Sequence, residues 1–183
     1  REPDPGYIAG YPAGVRENGG QYTHAAIWLA MGCLREGMTE EGAEILKALL
    51  PGRHDQAIYQ AEPYVIAADV YSNPAHLGRG GWSWYTGAAA WYYRVAMEEL
   101  LGLQVKEGRL TVTPRLPQTW QGFEAQWKTE TGSIQISVNR GERASMTFDG
   151  VEVKENAFSL RGEGAHTLQI IVAEEEPAAV PAV

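Results

Sequence analysis

The apolar residues of this chain change their period at Gly102. Before it they recur every three to four residues, in Tyr22 to Glu36, Glu40 to Leu50 and Thr86 to Leu101, the rhythm that gives an α-helix one apolar stripe. After it they alternate, in Arg109 to Thr113, Phe123 to Thr129, Ser133 to Asn139, Ala144 to Asp149, Ala157 to Arg161 and Thr167 to Ala173. Alternation sends one face of a strand into a core and the other into water. The chain therefore reads as α+β in sequence order, helices over residues 1–102 followed by an antiparallel β-sandwich over 103–173. Gly37, Gly52 and Gly102 read as helix stops, and Asp149-Gly150 as a tight turn between strands. A less regular stretch, Gln56 to Tyr71, reads as further helix, with Pro63 starting or kinking it. Aromatic usage divides the chain at nearly the same place: all nine Tyr and Trp28, Trp82, Trp84 and Trp91 precede residue 94, and all three Phe follow it. There is no internal repeat.

Composition removes several classes of function. A chain of 183 residues can bury a core without disulfide staples, and its single Cys33 sits among apolar neighbours, which suits a reducing compartment. A net charge of -8 argues against nucleic acid as a partner, because binding to that polyanion rests on clustered Lys and Arg. No run reaches the roughly 20 apolar residues of a membrane span. The acidic and Pro/Ala-rich segment 174–183 reads as a disordered tail. His24, His54, His76 and His166 lack the pairing of metal ligands, so no metal or cofactor is expected, and no Gly-x-Ser-x-Gly elbow offers a serine nucleophile. Three or four helices leave broad apolar faces uncovered, and those faces need either more of the same polypeptide or a second copy.

Two polar constellations are candidates for chemistry. Gly14-Val15-Arg16-Glu17-Asn18-Gly19-Gly20-Gln21-Tyr22-Thr23-His24 is a loop running into a helix. Glu17 can accept hydrogen bonds from sugar hydroxyls and His24, one turn into the helix, can donate to an anion; equally, Glu17 can cap the helix and His24 can be a core histidine. The second is Leu77-Gly78-Arg79-Gly80-Gly81-Trp82-Ser83-Trp84-Tyr85-Thr86-Gly87, just before the helix that follows. Unpaired amides and the positive dipole end make such a position suited to phosphate or sulfate, held by Thr86 and Gly87; the plainer role is an N-cap and a turn. Trp82 and Trp84 offer flat faces for sugar rings, whereas Trp91, paired with Val95 across one helical turn, reads as packing. Glu62-Pro63-Tyr64 adds a further carboxylate, either a ligand group or a helix-start residue.

Taken together, Gly-Val-Arg-Glu-Asn-Gly-Gly with Tyr-Thr-His, Glu-Pro-Tyr-Val, Gly-Gly-Trp-Ser-Trp-Tyr-Thr-Gly, and Gly-Arg-Leu-Thr-Val-Thr-Pro leading to Pro-x-x-Trp-x-Gly-Phe resemble glycoside hydrolase family 94, over about residues 6 to 140. The resemblance implies the last helices of an (α/α)6 barrel closed by the sandwich. It also implies phosphorolysis of a β-glycosidic bond with inversion, inorganic phosphate being the co-substrate. By the same resemblance His24, Thr86 and Gly87 match phosphate-binding positions, and Glu17 matches a carboxylate that contacts sugar. Arg16, in the first of these motifs, and Asp69, just past Glu-Pro-Tyr-Val, join Glu17, Trp82 and Trp84 as candidate substrate contacts. The family's catalytic Asp, with an Arg completing the phosphate clamp, lies upstream of these motifs and is not in this chain, so the isolated chain is expected to be inactive. Cellobiose and chitobiose enzymes carry a Gln shortly after Glu-Pro-Tyr-Val, where this chain has Ala67-Ala68-Asp69-Val70-Tyr71. That form resembles the cyclic β-1,2-glucan synthases and β-1,2-oligoglucan phosphorylases. In a synthase the region would lie on the cytoplasmic side of an inner-membrane protein. The competing readings are a soluble β-oligoglucan phosphorylase, a non-catalytic module that braces a barrel or binds glucan, and a self-contained chain whose helices form a homodimer.

Overall fold

A computed structural model describes residues 3–173, and the segment read as a disordered tail lies outside them. The chain is α+β and divides after Leu100 into two compact units.

In the first unit, helix α1 spans Thr23–Arg35, α2 Thr39–Ala48, α3 Gln56–Tyr59 and α4 Ala88–Arg94, the last continuing as a π-helix over Val95–Leu100. The apolar stripes meet as the rhythm requires: Ile27, Ala30 and Leu34 of α1, Leu46 and Leu49 at the end of α2, and Ala88, Val95 and Leu100 form one buried cluster. Tyr92 donates its hydroxyl hydrogen to the Leu46 carbonyl at 3.0 Å, tying α4 to α2. Arg35 closes the far end with two hydrogen bonds to Glu99 Oε1, at 2.9 and 2.6 Å. Cys33 is partly buried on α1. Opposite faces stay open, Trp28 being 51 % and Leu29 60 % exposed.

The stretch from Gln56 to Tyr71 is not a helix beyond Tyr59. Gln60 takes a left-handed conformation at φ 52, and the chain then runs irregularly into a strand, β2, at Asp69–Val70. β2 is the middle of a three-stranded antiparallel sheet, with β1 (Gln21–Tyr22) on one side and β3 (Gly80–Gly81) on the other. Two-residue strands carry no period, which is why the alternation test passes over them.

Among the described residues the second unit has eight strands, two more than the alternation predicts: β4 Leu103–Lys106, β5 Arg109–Val112, β6 Gly122–Lys128, β7 Gly132–Gly141, β8 Ser145–Phe148, β9 Val151–Glu152, β10 Ala157–Ser159 and β11 Gly164–Ala173. They form a three-stranded sheet, β10-β5-β4, and a five-stranded one, β6-β7-β11-β8-β9. The expectation of a wholly antiparallel sandwich is corrected here, since β11 runs parallel to β7, with Ile136 opposite Leu168 and Val138 opposite Ile170. Parallel neighbours need a long connection, and β8, β9 and β10 supply it. Ile134, Ile136, Val138, Leu168 and Ile170 are buried on these strands, as are Leu110, Val112 and Phe158 of the other sheet. Phe148 of β8 stacks on Phe158 of β10 at 4.9 Å. Asp149 and Gly150 both have positive φ (51 and 79), the tight hairpin geometry that joins β8 to β9. Gly102, at φ 70, leads the chain into β4; a Cβ there would lie 2.0 Å from the Thr113 carbonyl oxygen. The guanidinium of Arg140 donates to the carbonyls of Leu116, Pro117 and Trp120, giving the Pro-x-x-Trp-x-Gly-Phe stretch a structural anchor.

Candidate functional site

The small sheet β1-β2-β3 gathers three distant stretches. β1 leads into α1 and His24, β3 leads into Trp82 and the loop ending at Gly87, and β2 binds the loop of residues 13–20 through side chains at its own end. Arg16 donates its backbone N–H to Asp69 Oδ2 at 2.9 Å, Ser72 Oγ donates to the Gly19 carbonyl, and Asn73 Nδ2 to the Ala13 carbonyl. Thr23 donates its N–H to the Ala68 carbonyl at 2.9 Å, so β2 also starts α1.

Arg16 is 7 % exposed and stands at φ 50. Its guanidinium carbon lies 5.2 Å from the centre of the Tyr11 ring, 5.6 Å from Trp82 and 5.0 Å from Tyr85, an aromatic cage for a cation. Burial opposes the charge, but the side chains of Tyr85, Tyr11 and Glu17 more than offset it and hold the group protonated. Glu17 Oε2 is 3.6 Å from Arg16 Nε, an ion-pair distance too long for a hydrogen bond. Asp69 is fully buried; burial pushes its carboxyl above the usual range, with the Arg16 N–H and the Arg16 charge pulling the other way.

His24 lies in the first turn of α1, one residue inside it, rather than a full turn along. Its ring packs edge-on to Trp28 at 4.8 Å and lies 6.1 Å from Trp91 in the first turn of α4, so Trp91 faces the imidazole as well as the core. Thr86 Oγ1 accepts from the Ala88 N–H at 3.2 Å. The N-cap itself is Gly87, so Thr86 closes a local turn one residue ahead of it, and the hydroxyl keeps its own hydrogen for donation. A Cβ placed on Gly87 would meet nothing within 4 Å, which leaves that backbone open to approach. Glu17, by contrast, makes no cap bond to α1, whose start has no side-chain cap.

Trp82 and Trp84 stand at φ 55 and 62, and are 55 % and 76 % exposed. Left-handed backbone at a bulky residue costs of order 1–3 kcal/mol, and it turns both indoles outward. Arg16, Glu17, Asp69 and Trp82 are brought together, and His24 is brought to the α4 turn that Thr86 precedes, whereas Trp84 has no ring partner among the described residues. Tyr11 and Gln21 belong to the site and were not singled out from sequence, since a lone tyrosine or glutamine carries no pattern of its own; Tyr85 stands in the glycine- and aromatic-rich stretch whose rings can face a sugar. Among the described residues no three His, Cys, Asp or Glu gather as a metal site, and no helix is long and apolar enough to cross a membrane.

Of six buried side-chain atoms without a hydrogen bond among the described residues, five are Arg16 Nε, Glu17 Oε2, Gln21 Nε2, His24 Nε2 and Asp69 Oδ1. Each such atom costs about 1–3 kcal/mol if nothing binds it. Their grouping marks a place left for other polar groups.

Residues 1–102 match the model of the glycosyl hydrolase 94 superfamily catalytic domain. Over 146 residues, 77 % of this chain, the sequence is 44 % identical to the cyclic beta-(1,2)-glucan synthase NdvB of Rhizobium meliloti (strain 1021), of which it spans 5 %. It is 29 % identical to the N,N'-diacetylchitobiose phosphorylase of Vibrio proteolyticus over 160 residues, 82 % of this chain and 20 % of that protein. Against the solabiose phosphorylase of Paenibacillus borealis it is 25 % identical over 178 residues, 90 % of this chain and 23 % of that one. The chain thus spans a quarter or less of the length of each of these relatives.

Proposed function

Because the chain belongs to the glycosyl hydrolase 94 superfamily, we propose that it is the C-terminal part of an inverting β-glucan phosphorylase-type domain, of the kind found with β-1,2-glucans. Residues 1–102 supply the last helices of an (α/α)6 barrel and 103–173 the sandwich that closes it; the remainder of the same polypeptide covers the open helix faces. In this reading the domain works on the cytoplasmic side of the membrane.

The observation that carries the reading is the cluster of five unpaired polar atoms around β1-β2-β3. Inorganic phosphate sits at the start of α4, against the Thr86 hydroxyl and the open backbone of Gly87, with His24 Nε2 as a further donor. The helix dipole favours an anion there. The sugar lies against Arg16, Glu17, Trp82 and Trp84, where indole faces and carboxylate oxygens suit its ring and hydroxyls. A phosphate oxygen forms the bond to the anomeric carbon as the glycosidic C–O bond breaks. The bonding pair leaves with the departing oxygen, which takes a proton from a carboxylic acid outside this chain. One displacement inverts the centre, and a single acid is enough because phosphate needs no base to activate it.

The test is phosphate kinetics in the complete polypeptide. Thr86→Ala and His24→Ala each remove a hydrogen bond to a charged group, worth roughly 1.5–3 kcal/mol, so the KM for phosphate rises about tenfold or more. Unchanged phosphate dependence in both variants removes the assignment.

A further inference from the structure

Asp69 is the one residue of the candidate site that no solute can reach. It is 0 % exposed, at the centre of the middle strand, opposite Tyr22 on one side and Gly81 on the other. Gly81 is what makes room for it. A Cβ there would lie 2.6 Å from Asp69 Oδ1 and 2.5 Å from Tyr71 Cε1, so a side chain on that neighbour crowds the carboxyl together with the Tyr71 ring. The carboxyl's hydrogen-bonded oxygen reaches across 53 positions of sequence to the Arg16 N–H. Arg16 holds a left-handed conformation at φ 50, which a non-glycine residue keeps only when its surroundings impose it. The rim of the same loop is tied at Ala13, Gly14 and Gly19 by Ser72 and Asn73. Asp69 alone, among the side chains of β2, grips the loop where the Arg16 guanidinium and the Glu17 carboxylate leave it.

We propose that Asp69 is a positioning residue for sugar binding: buried beside Gly81, it fixes the Arg16 backbone and so aims Arg16 into its aromatic cage and Glu17 at the sugar, without touching the sugar itself. The proposal rests on the functional reading above and deepens it. The bond requires an acceptor oxygen at the end of a side chain of this length, and does not require a charge. Asparagine has such an oxygen.

The test uses the complete polypeptide, with β-1,2-oligoglucan as probe. Steady-state KM for sugar and for phosphate is measured separately, and sugar binding without phosphate is measured by calorimetry. Asp69→Ala is expected to raise the sugar KM and the sugar Kd about tenfold, the scale of one lost hydrogen bond in a buried site, with the phosphate KM unchanged. Asp69→Asn recovers most of the loss. If Asp69→Ala does not fold, Gly81→Ala, which crowds the carboxyl without removing it, is expected to show the same rise in sugar KM alone. An Asn variant as impaired as Ala overturns the proposal, because it assigns the role to the charge. So does a rise in both KM values together, or sugar binding that none of the variants alters. Absence of phosphorolysis in the unaltered protein, with sugar binding still weakened by Asp69→Ala and recovered by Asn, sinks the phosphorylase reading and leaves this one standing; absence of both turnover and sugar binding sinks both.

Discussion

Two aspartates, one in each unit, are built to opposite ends, Asp69 buried and Asp149 exposed. Asp149, in the hairpin between β8 and β9, has both oxygens engaged: Oδ1 accepts the Thr167 N–H at 2.8 Å and Oδ2 lies 2.7 Å from His166 Nδ1. Asp69 has one oxygen engaged and one with no partner. The contrast extends to the units around them. Five of the six unpaired buried side-chain atoms among the described residues belong to the first unit, and in the second only Thr129 Oγ1 is left over. A scaffold completes its hydrogen bonds because each missing one costs stability; a binding site leaves atoms such as Glu17 Oε2 and His24 Nε2 for its ligand, whereas Asp69 Oδ1 is sealed in beside Gly81.

The largest effect that tests this contrast is a loss of packing where everything is finished. Ile136 is fully buried on β7, and Ile136→Ala is expected to lower unfolding stability by about 2–5 kcal/mol in denaturant titration, with any ligand KM unmoved. Next in size is Glu17→Gln. It weakens sugar binding about tenfold if Glu17 accepts two hydroxyl hydrogens there, yet the same titration should find stability changed by less than about 1 kcal/mol, since the fold loses only a 3.6 Å ion pair with Arg16 at a partly exposed carboxylate. A clear loss of stability would show that Glu17 serves the fold.

Acidity separates the two aspartates by direction. The Thr167 N–H first, and His166 after it, hold Asp149 below the ordinary carboxylate range. Its contribution is therefore complete above the ordinary pKa and is lost as pH falls through the lowered folded value. Asp69 is raised by burial, so its ionised form costs stability, in full above its folded pKa, and that cost fades as pH falls toward the ordinary value. In melting curves taken from about pH 7 down to about pH 3, Asp149→Asn should shallow the acid-side decline, and Asp69→Asn should abolish a gain that comes at higher pH. The smallest effect is at the exception. Thr129→Val deletes the one buried hydroxyl without a hydrogen bond among the described residues of the second unit and should change stability by only about 0.5 kcal/mol, toward greater stability. A destabilisation above about 1 kcal/mol would mean that the hydroxyl has a role and the contrast is overdrawn.

Much of the scaffold was legible in the sequence because period is a local property. α1 and α2 lie within one or two residues of where their apolar stripes place them, and β6, β7 and β11 follow the alternation closely. What period cannot carry is pairing. Nothing in residues 132–141 or 164–173 says that those strands run parallel, and nothing in Asp69-Val70 says that two residues will join three motifs. Gln56 to Tyr71 reads as helix because its apolar residues are dense, and the left-handed Gln60 that ends the helix has no glycine to announce it. The site shows the same division. Arg16, Glu17, His24, Thr86 and Gly87 stand out as residue types in motifs, but the cage of Tyr11, Trp82 and Tyr85 exists only once β3 is laid beside β2.

The parallel pairing of β7 with β11 also constrains how the second unit can be made. β11 lies in the middle of its sheet, yet it is the last strand among the described residues. During synthesis from the N-terminus, β6 and β7 can zip into a hairpin early, but the inner edge of β7 stays bare until residue 173 has left the ribosome. Ile134, Ile136 and Val138 are on that strand. An interrupted or slowly translated chain would therefore present a long, apolar, unpaired edge, the kind of surface on which chains add to one another.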